Sequence, residues 1–119
     1  MVDFDTIADL GAGDLLFHEV LPRLRPGVWA HFHDIYFPYD YTRDTLDGDM
    51  LFPQESTLLY AFPTGNERFK VEASLSMIHY ARLDALRALI PNYRPDGNVD
   101  GLRAGQGGHF PSACWLRVV

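Results

Sequence analysis

The chain has 119 residues, 47% of them apolar, which suits one compact domain with one core and excludes a disordered tail. Net charge is −6, and the ten cationic residues, all arginine except Lys70, form no basic run. This excludes nucleic acid as the main partner and a polybasic membrane patch. The single cysteine, Cys114, rules out an internal disulfide and a Cys-rich zinc site, and its apolar neighbours Ala113, Trp115 and Leu116 predict a buried, inert thiol. Residues Met1–Asp5 lack the basic-then-apolar pattern of an export signal, and no segment approaches the roughly 18 apolar residues of a membrane span, so the expectation is a soluble cytoplasmic protein.

In chain order, residues 2–8 predict a short strand. Gly11–Gly13 form a turn, and Asp14 is placed to cap a helix from Leu15 to Leu24. Leu16, Val20 and Leu24 recur at helical spacing and Phe17 and Leu21 widen the stripe, while Pro22 distorts the last turn. Val28–Ile35 is the strongest strand, bounded by Gly27 and Pro38. Alternation puts His31 and His33 on one face, with Phe32 and Asp34 on the other. Both faces carry apolar residues, which suits a sheet covered on both sides. Residues 36–53 read as a long loop, followed by a helix from Gln54 to Phe62 with Leu58, Leu59 and Phe62 inward and Pro63 and Gly65 as its stop. A strand over Phe69–Leu75 precedes a helix over Leu83–Ile90 with Leu83, Leu86, Leu89 and Ile90 as its stripe. Residues 91–111 form a loop before a last strand, Ala113–Val119. Alternating helices and strands indicate an α/β fold.

The run Glu19–Ile35, containing Leu21-Pro22-Arg23-Leu24, Pro26-Gly27 and His31-Phe32-His33-Asp34-Ile35, resembles class I S-adenosylmethionine (SAM)-dependent methyltransferases. Phe37–Tyr41, Glu55–Phe62 and Pro111–Arg117 continue the resemblance, which covers roughly residues 14–119. It implies that Val28–Ile35, Phe69–Leu75 and Ala113–Val119 are the fifth, sixth and seventh strands of a mixed, Rossmann-like sheet whose last strand is antiparallel. Residues 1–119 would then be a single partial domain, the C-terminal half of that fold, incomplete without the half that binds SAM. Ile7–Gly13 also looks like the family's Gly-rich SAM turn, in which case Asp34 would be the ribose-binding acid. The other reading of Gly11–Gly13 is a helix-entry turn.

His33 and Asp34 are the candidate catalytic pair, at the carboxyl end of a strand, where open α/β sheets build their sites. By resemblance Asp34 matches a carboxylate that holds a divalent metal such as magnesium, with His33 as second ligand or general base, because imidazoles titrate near neutrality. The alternatives are a turn cap at Asp34 and a backbone-bonded His33. His31 shares the face of His33 and is either a second imidazole ligand or a packed core histidine. His18, His79 and His109 carry no assigned role. The aromatic loop Tyr36–Tyr41 either covers a substrate or fills the sheet edge. Asp44, Asp47 and Asp49 are spaced like cation ligands but lack the distal glutamate of a calcium loop.

The expected function is SAM-dependent O-methyl transfer to a small molecule or sugar, with this portion inactive alone. The alternative is a non-catalytic remnant or assembly module of the same half-fold. A metal hydrolase using His31, His33 and Asp34 is a third reading. The expected partners are a small-molecule substrate and a missing N-terminal half or a second copy of the chain, because a fifth strand without its neighbour exposes an edge.

Overall fold

The structure, a computed structural model, describes residues 2–4, 15–39, 55–95, 97–98, 101–102 and 111–119. The strands are β1 (Val2–Phe4), β2 (Trp29–Phe32), β3 (Phe69–Ser74), β4 (Gly97–Asn98), β5 (Gly101–Leu102) and β6 (Cys114–Val118). The α-helices are α1 (Glu55–Ala61), α2 (Leu75–Ala81) and α3 (Leu83–Leu89). Four strands form one sheet in the order β1-β2-β6-β3, and β4 pairs with β5 in a separate ribbon. The fold is mixed α/β. Strand β1 runs parallel to β2, whereas β6 is antiparallel to both its neighbours, β2 and β3.

Strand β6 is the seam. Trp29, Ala30, His31 and Phe32 pair with Arg117, Leu116, Trp115 and Cys114 in turn. The pairing extends past β2 at both ends: Gly27 N–H donates to Val118 O (2.8 Å), Val118 N–H to Val28 O (2.9 Å) and Ile35 N–H to Ser112 O (2.8 Å). Gly27 turns the chain into β2 at φ 85°, a left-handed conformation that costs glycine little. On the β3 side a bulge between Val71 and Ala73 leaves Glu72 as the extra residue, and its carboxylate accepts from Arg117 Nε.

Strand alternation sorts the side chains. Ala30, Phe32, Phe69, Cys114, Leu116 and Val118 are buried on one face, against Phe17, Leu21 and Leu59. The opposite rows hold Trp29, which is 40% exposed, with half-buried His31, Trp115 and Arg117. Coverage of both faces, expected from the apolar content of Val28–Ile35, is therefore incomplete among the described residues. Stacking of aromatic rings takes its place: His31 lies over its cross-strand neighbour Trp115 at 4.4 Å, with the planes within 5°.

Pro22 decides the form of the first helical segment. Its ring would strike the carbonyl four residues back in a regular α-helix, and it offers no N–H. The backbone widens into a π-helical stretch, Leu16–Val20, and then tightens into a 3-10 turn, Leu21–Arg23. The carbonyls left at its end are taken by Arg68, whose guanidinium donates to Pro22 O (2.8 Å) and Leu24 O (3.0 Å). Phe17 and Leu21 point into the core, as the periodicity predicts.

Helix α1 buries Leu59 and packs Leu58 and Phe62 on the core; Gly65 follows at φ 75°. Helix α2 begins at Leu75, the residue with which the expected strand Phe69–Leu75 would end. Ser74 ends β3 and caps α2 directly, its Oγ accepting from Met77 N–H at 3.3 Å. One non-helical residue, Arg82 (φ −146°, ψ 59°), separates α2 from α3. Within α3 only Leu86 is buried, and Leu89, expected inward, is 74% exposed. The helix is too short for its last turn to reach back onto the core. Among the described residues no helix is long and apolar enough to cross a membrane.

Two leucines separate core from surface. Leu116→Ala, at a fully buried position in the central strand, is expected to lower unfolding stability by about 2–5 kcal/mol in chemical denaturation. Leu89→Ala is expected to stay within about 0.5 kcal/mol of the parent.

Candidate functional site

The carboxyl end of β2 reverses abruptly. His33 and Asp34 form a bend, with Asp34 in the left-handed region at φ 54°. Aspartate tolerates this conformation better than most residues. The reversal turns Asp34 outward, while Ile35 and Tyr36 return to the core at 1% and 4% exposure. The Ile35 N–H bond to Ser112 O fixes the turn from the neighbouring strand. Buried Ser112 also donates its hydroxyl to Asp34 Oδ1 at 3.4 Å, so one residue steadies both backbone and carboxylate.

The structure brings His31 and His33 together, with ring centroids 4.2 Å apart. The stack of His31 on Trp115 gives it a packing role, the second of the two readings open for it in the sequence. Among the described residues no group of three or more His, Cys, Asp or Glu side chains can hold a metal ion. His33 and Asp34 together offer an imidazole and a carboxylate. The Gly-rich turn at residues 9–13, the acidic positions Asp44, Asp47 and Asp49, and His109 lie outside the described residues. Cys114 is fully buried, and burial pushes its thiol up to about 12, as expected of an inert cysteine.

Next to the bend, the chain 36–39 forms a turn joined to β3 and α2. Tyr39 N–H donates to Tyr36 O (2.7 Å), and Ser74 Oγ donates to Phe37 O. The Phe37–Pro38 peptide is cis. Pro38 and Tyr39 face Ser56, Thr57 and Tyr60 of α1 across an open cavity of about 230 Å³. The aromatic loop thus serves two ends: Tyr36 fills core, and Tyr39 lines a cavity. Ser112, Ser56 and Tyr60 escaped the sequence reading, because serine hydroxyls and a lone helix tyrosine carry no spacing signal.

Farther along the same surface, Tyr39 meets Tyr80 edge-on at 4.7 Å. His79 Nδ1 lies 3.0 Å from Tyr93 Oη. Burial, followed by the charge of Arg87, holds His79 below its ordinary value. Burial, followed by Tyr80, pushes the Tyr93 phenol up to about 12.

No protein-family model, curated protein or solved structure matches the chain.

The backbone at Asp34 predicts a ranking. Asp34→Gly is expected to keep its stability, whereas Asp34→Val lowers it by about 1–2 kcal/mol, because a β-branched residue is strained at φ 54°. Chemical denaturation checks both. His79 sets a pH dependence: its folded form binds protons less readily than its unfolded form, so its contribution is present above about pH 6.5 and is lost as pH falls below that value. The melting temperature of the parent is expected to drop more steeply between pH 7.5 and 5 than that of His79→Gln.

Proposed function

We propose that the chain carries the second half of a SAM-dependent O-methyltransferase fold and presents the acceptor side of the reaction at the carboxyl end of β2. One observation carries this reading: the outward turn at His33 and Asp34, held by Ser112 at the end of a parallel-paired strand. The direction of β6, antiparallel between β2 and β3, also supports it, since the sequence resemblance expects an antiparallel last strand.

SAM, when bound, supplies an electrophilic methyl group. The residues of this chain act on the acceptor. The exposed Asp34 carboxylate accepts a hydrogen bond from the acceptor hydroxyl and orients its oxygen, and Ser112 limits the freedom of that carboxylate. The His33 imidazole takes the hydroxyl proton as the new bond to oxygen forms.

Calorimetric titration of SAM into the 119-residue chain is expected to give a dissociation constant no tighter than about 1 mM, roughly −4 kcal/mol. A low-micromolar constant, about −8 kcal/mol, would move the cofactor site onto residues 9–13 and overturn the half-fold reading. With a Gly-rich first half supplied as a separate chain, SAM-dependent transfer should appear as S-adenosylhomocysteine. His33→Ala should lower that rate by about a hundredfold. Absence of product in every pairing would favour a non-catalytic assembly module.

A further inference from the structure

We infer that Trp115 and His31 are positioning residues for His33: a ring stack built across the sheet holds its imidazole in one rotamer. The three rings come from two strands and a bend. His31 and Trp115 are direct partners in the ladder between β2 and β6. His33 follows Phe32, the last residue of β2, and lies in the bend with Asp34. Strand alternation therefore stops before His33, and its side chain takes its direction from what it touches.

The contacts run in sequence. The Trp115 indole and the His31 imidazole are 4.4 Å apart between centroids, with planes within 5° of parallel. The His33 imidazole meets His31 at 4.2 Å, tilted by 57°. Both spacings lie at the close limit of the roughly 4.5–7 Å found for aromatic pairs. Trp115 is the anchor. Its backbone pairs with His31 on one side and with Ala73 of β3 on the other, so the strand beneath it is fixed from both directions. An indole covers the whole face of an imidazole, which fixes the plane of His31. His33 then rests against a ring that cannot turn away. All three side chains are half-buried, so each contact also removes apolar area from water.

Holding matters for a base. A histidine χ1 has three staggered positions, and each places the ring nitrogens in a different part of space. Only one of them can lie within the roughly 2.6–3.2 Å that proton transfer to a bound hydroxyl requires. A ring confined to that rotamer meets the hydroxyl without a search, which is the gain that orientation supplies. Asp34 and His33 are thus aimed by separate supports, and both belong to the same strand: Ser112 on the approach to β6, and Trp115 as its second residue.

The chemical use of the held ring rests on the methyl-transfer proposal; the holding itself is tested without SAM. The rotamer of His33 is read from three-bond couplings between its Cγ and the backbone N and C′ in the isotope-labelled full chain at one fixed pH. The parent should show a single rotamer. His31→Ala and Trp115→Leu should give couplings averaged over several, whereas His31→Phe, which keeps a ring on Trp115, should restore the single one. Val118→Ala is the control: it lies on the same strand with its side chain in the core, and should lower the melting temperature while leaving His33 in one rotamer. If Trp115→Leu does not fold, the two His31 variants decide. In an active pairing, His31→Ala should lower turnover about tenfold, with His31→Phe recovering most of the loss.

Averaged couplings in the folded parent overturn the assignment. So does a single rotamer that survives His31→Ala, or averaging in Val118→Ala as large as in His31→Ala. Methyl transfer by a parent whose His33 is averaged sinks the ring stack alone. A held His33 that responds as expected, with no transfer in any pairing, sinks the methyl-transfer proposal alone.

Discussion

The antiparallel insertion of β6 between β2 and β3 is the constraint on which the rest of the molecule depends. Strands β2 and β3 point the same way, and β6 returns between them. The residues leading into β6 must therefore lie beside the residues leaving β2 and β3. Pro111, Ser112 and Ala113 occupy that meeting point. Their groups bond Ser76, Ile35, Asp34 and Leu75: Ser76 Oγ donates to Pro111 O at 2.6 Å, and Leu75 N–H donates to Ala113 O at 2.9 Å. Burial of Cys114, Leu116 and Val118 on the core face holds the strand there by removing apolar area from water.

The same constraint explains why polar groups gather at one end of the sheet. Serines at 74, 76 and 112 are all buried, and each has a hydroxyl bonded to a neighbouring group. Together they tie the loop after β2, the start of α2 and the approach to β6 into one hydrogen-bonded patch. The left-handed turn at Asp34 survives in this setting because the flanking backbone is fixed on the β6 side. The carboxylate is exposed yet held in place by its surroundings, which is the combination a positioning group needs.

The sheet was largely legible in the sequence, and the reasons are local. β-Rich runs bounded by Gly27 and by Pro111 marked β2 and β6, and the Leu58-Leu59 pair with Phe62 marked α1. Helix α2 was hidden because Ser74 is at once the last residue of a strand and an N-cap, so no Gly or Pro announces the change. Leu89 misled because helical spacing gives a face but not the reach of the core behind it. Alternation was expected to run on to Ile35, but β2 ends at Phe32 and His33 meets His31 from the bend; the stack of His31 on Trp115 depends on register with a strand some 80 residues away, which no local pattern encodes. The site behaved likewise. Asp34 stood out as an acid after a strand, but Ser112 is defined by what it touches, and contact is a product of the assembled sheet.

The seam strand also carries its own reporter. Cys114, the single thiol of the chain, sits fully buried in β6 opposite Phe32 and Ser74. A thiol reagent reaches it only when β6 separates from the core, and burial keeps it out of the reactive thiolate form until then. The rate of alkylation under native conditions therefore measures the opening free energy of the central strand. No label, tag or substitution has to be introduced for that measurement, and a ligand that tightens the sheet end around Ser112 slows the reaction at a sulfur it never touches.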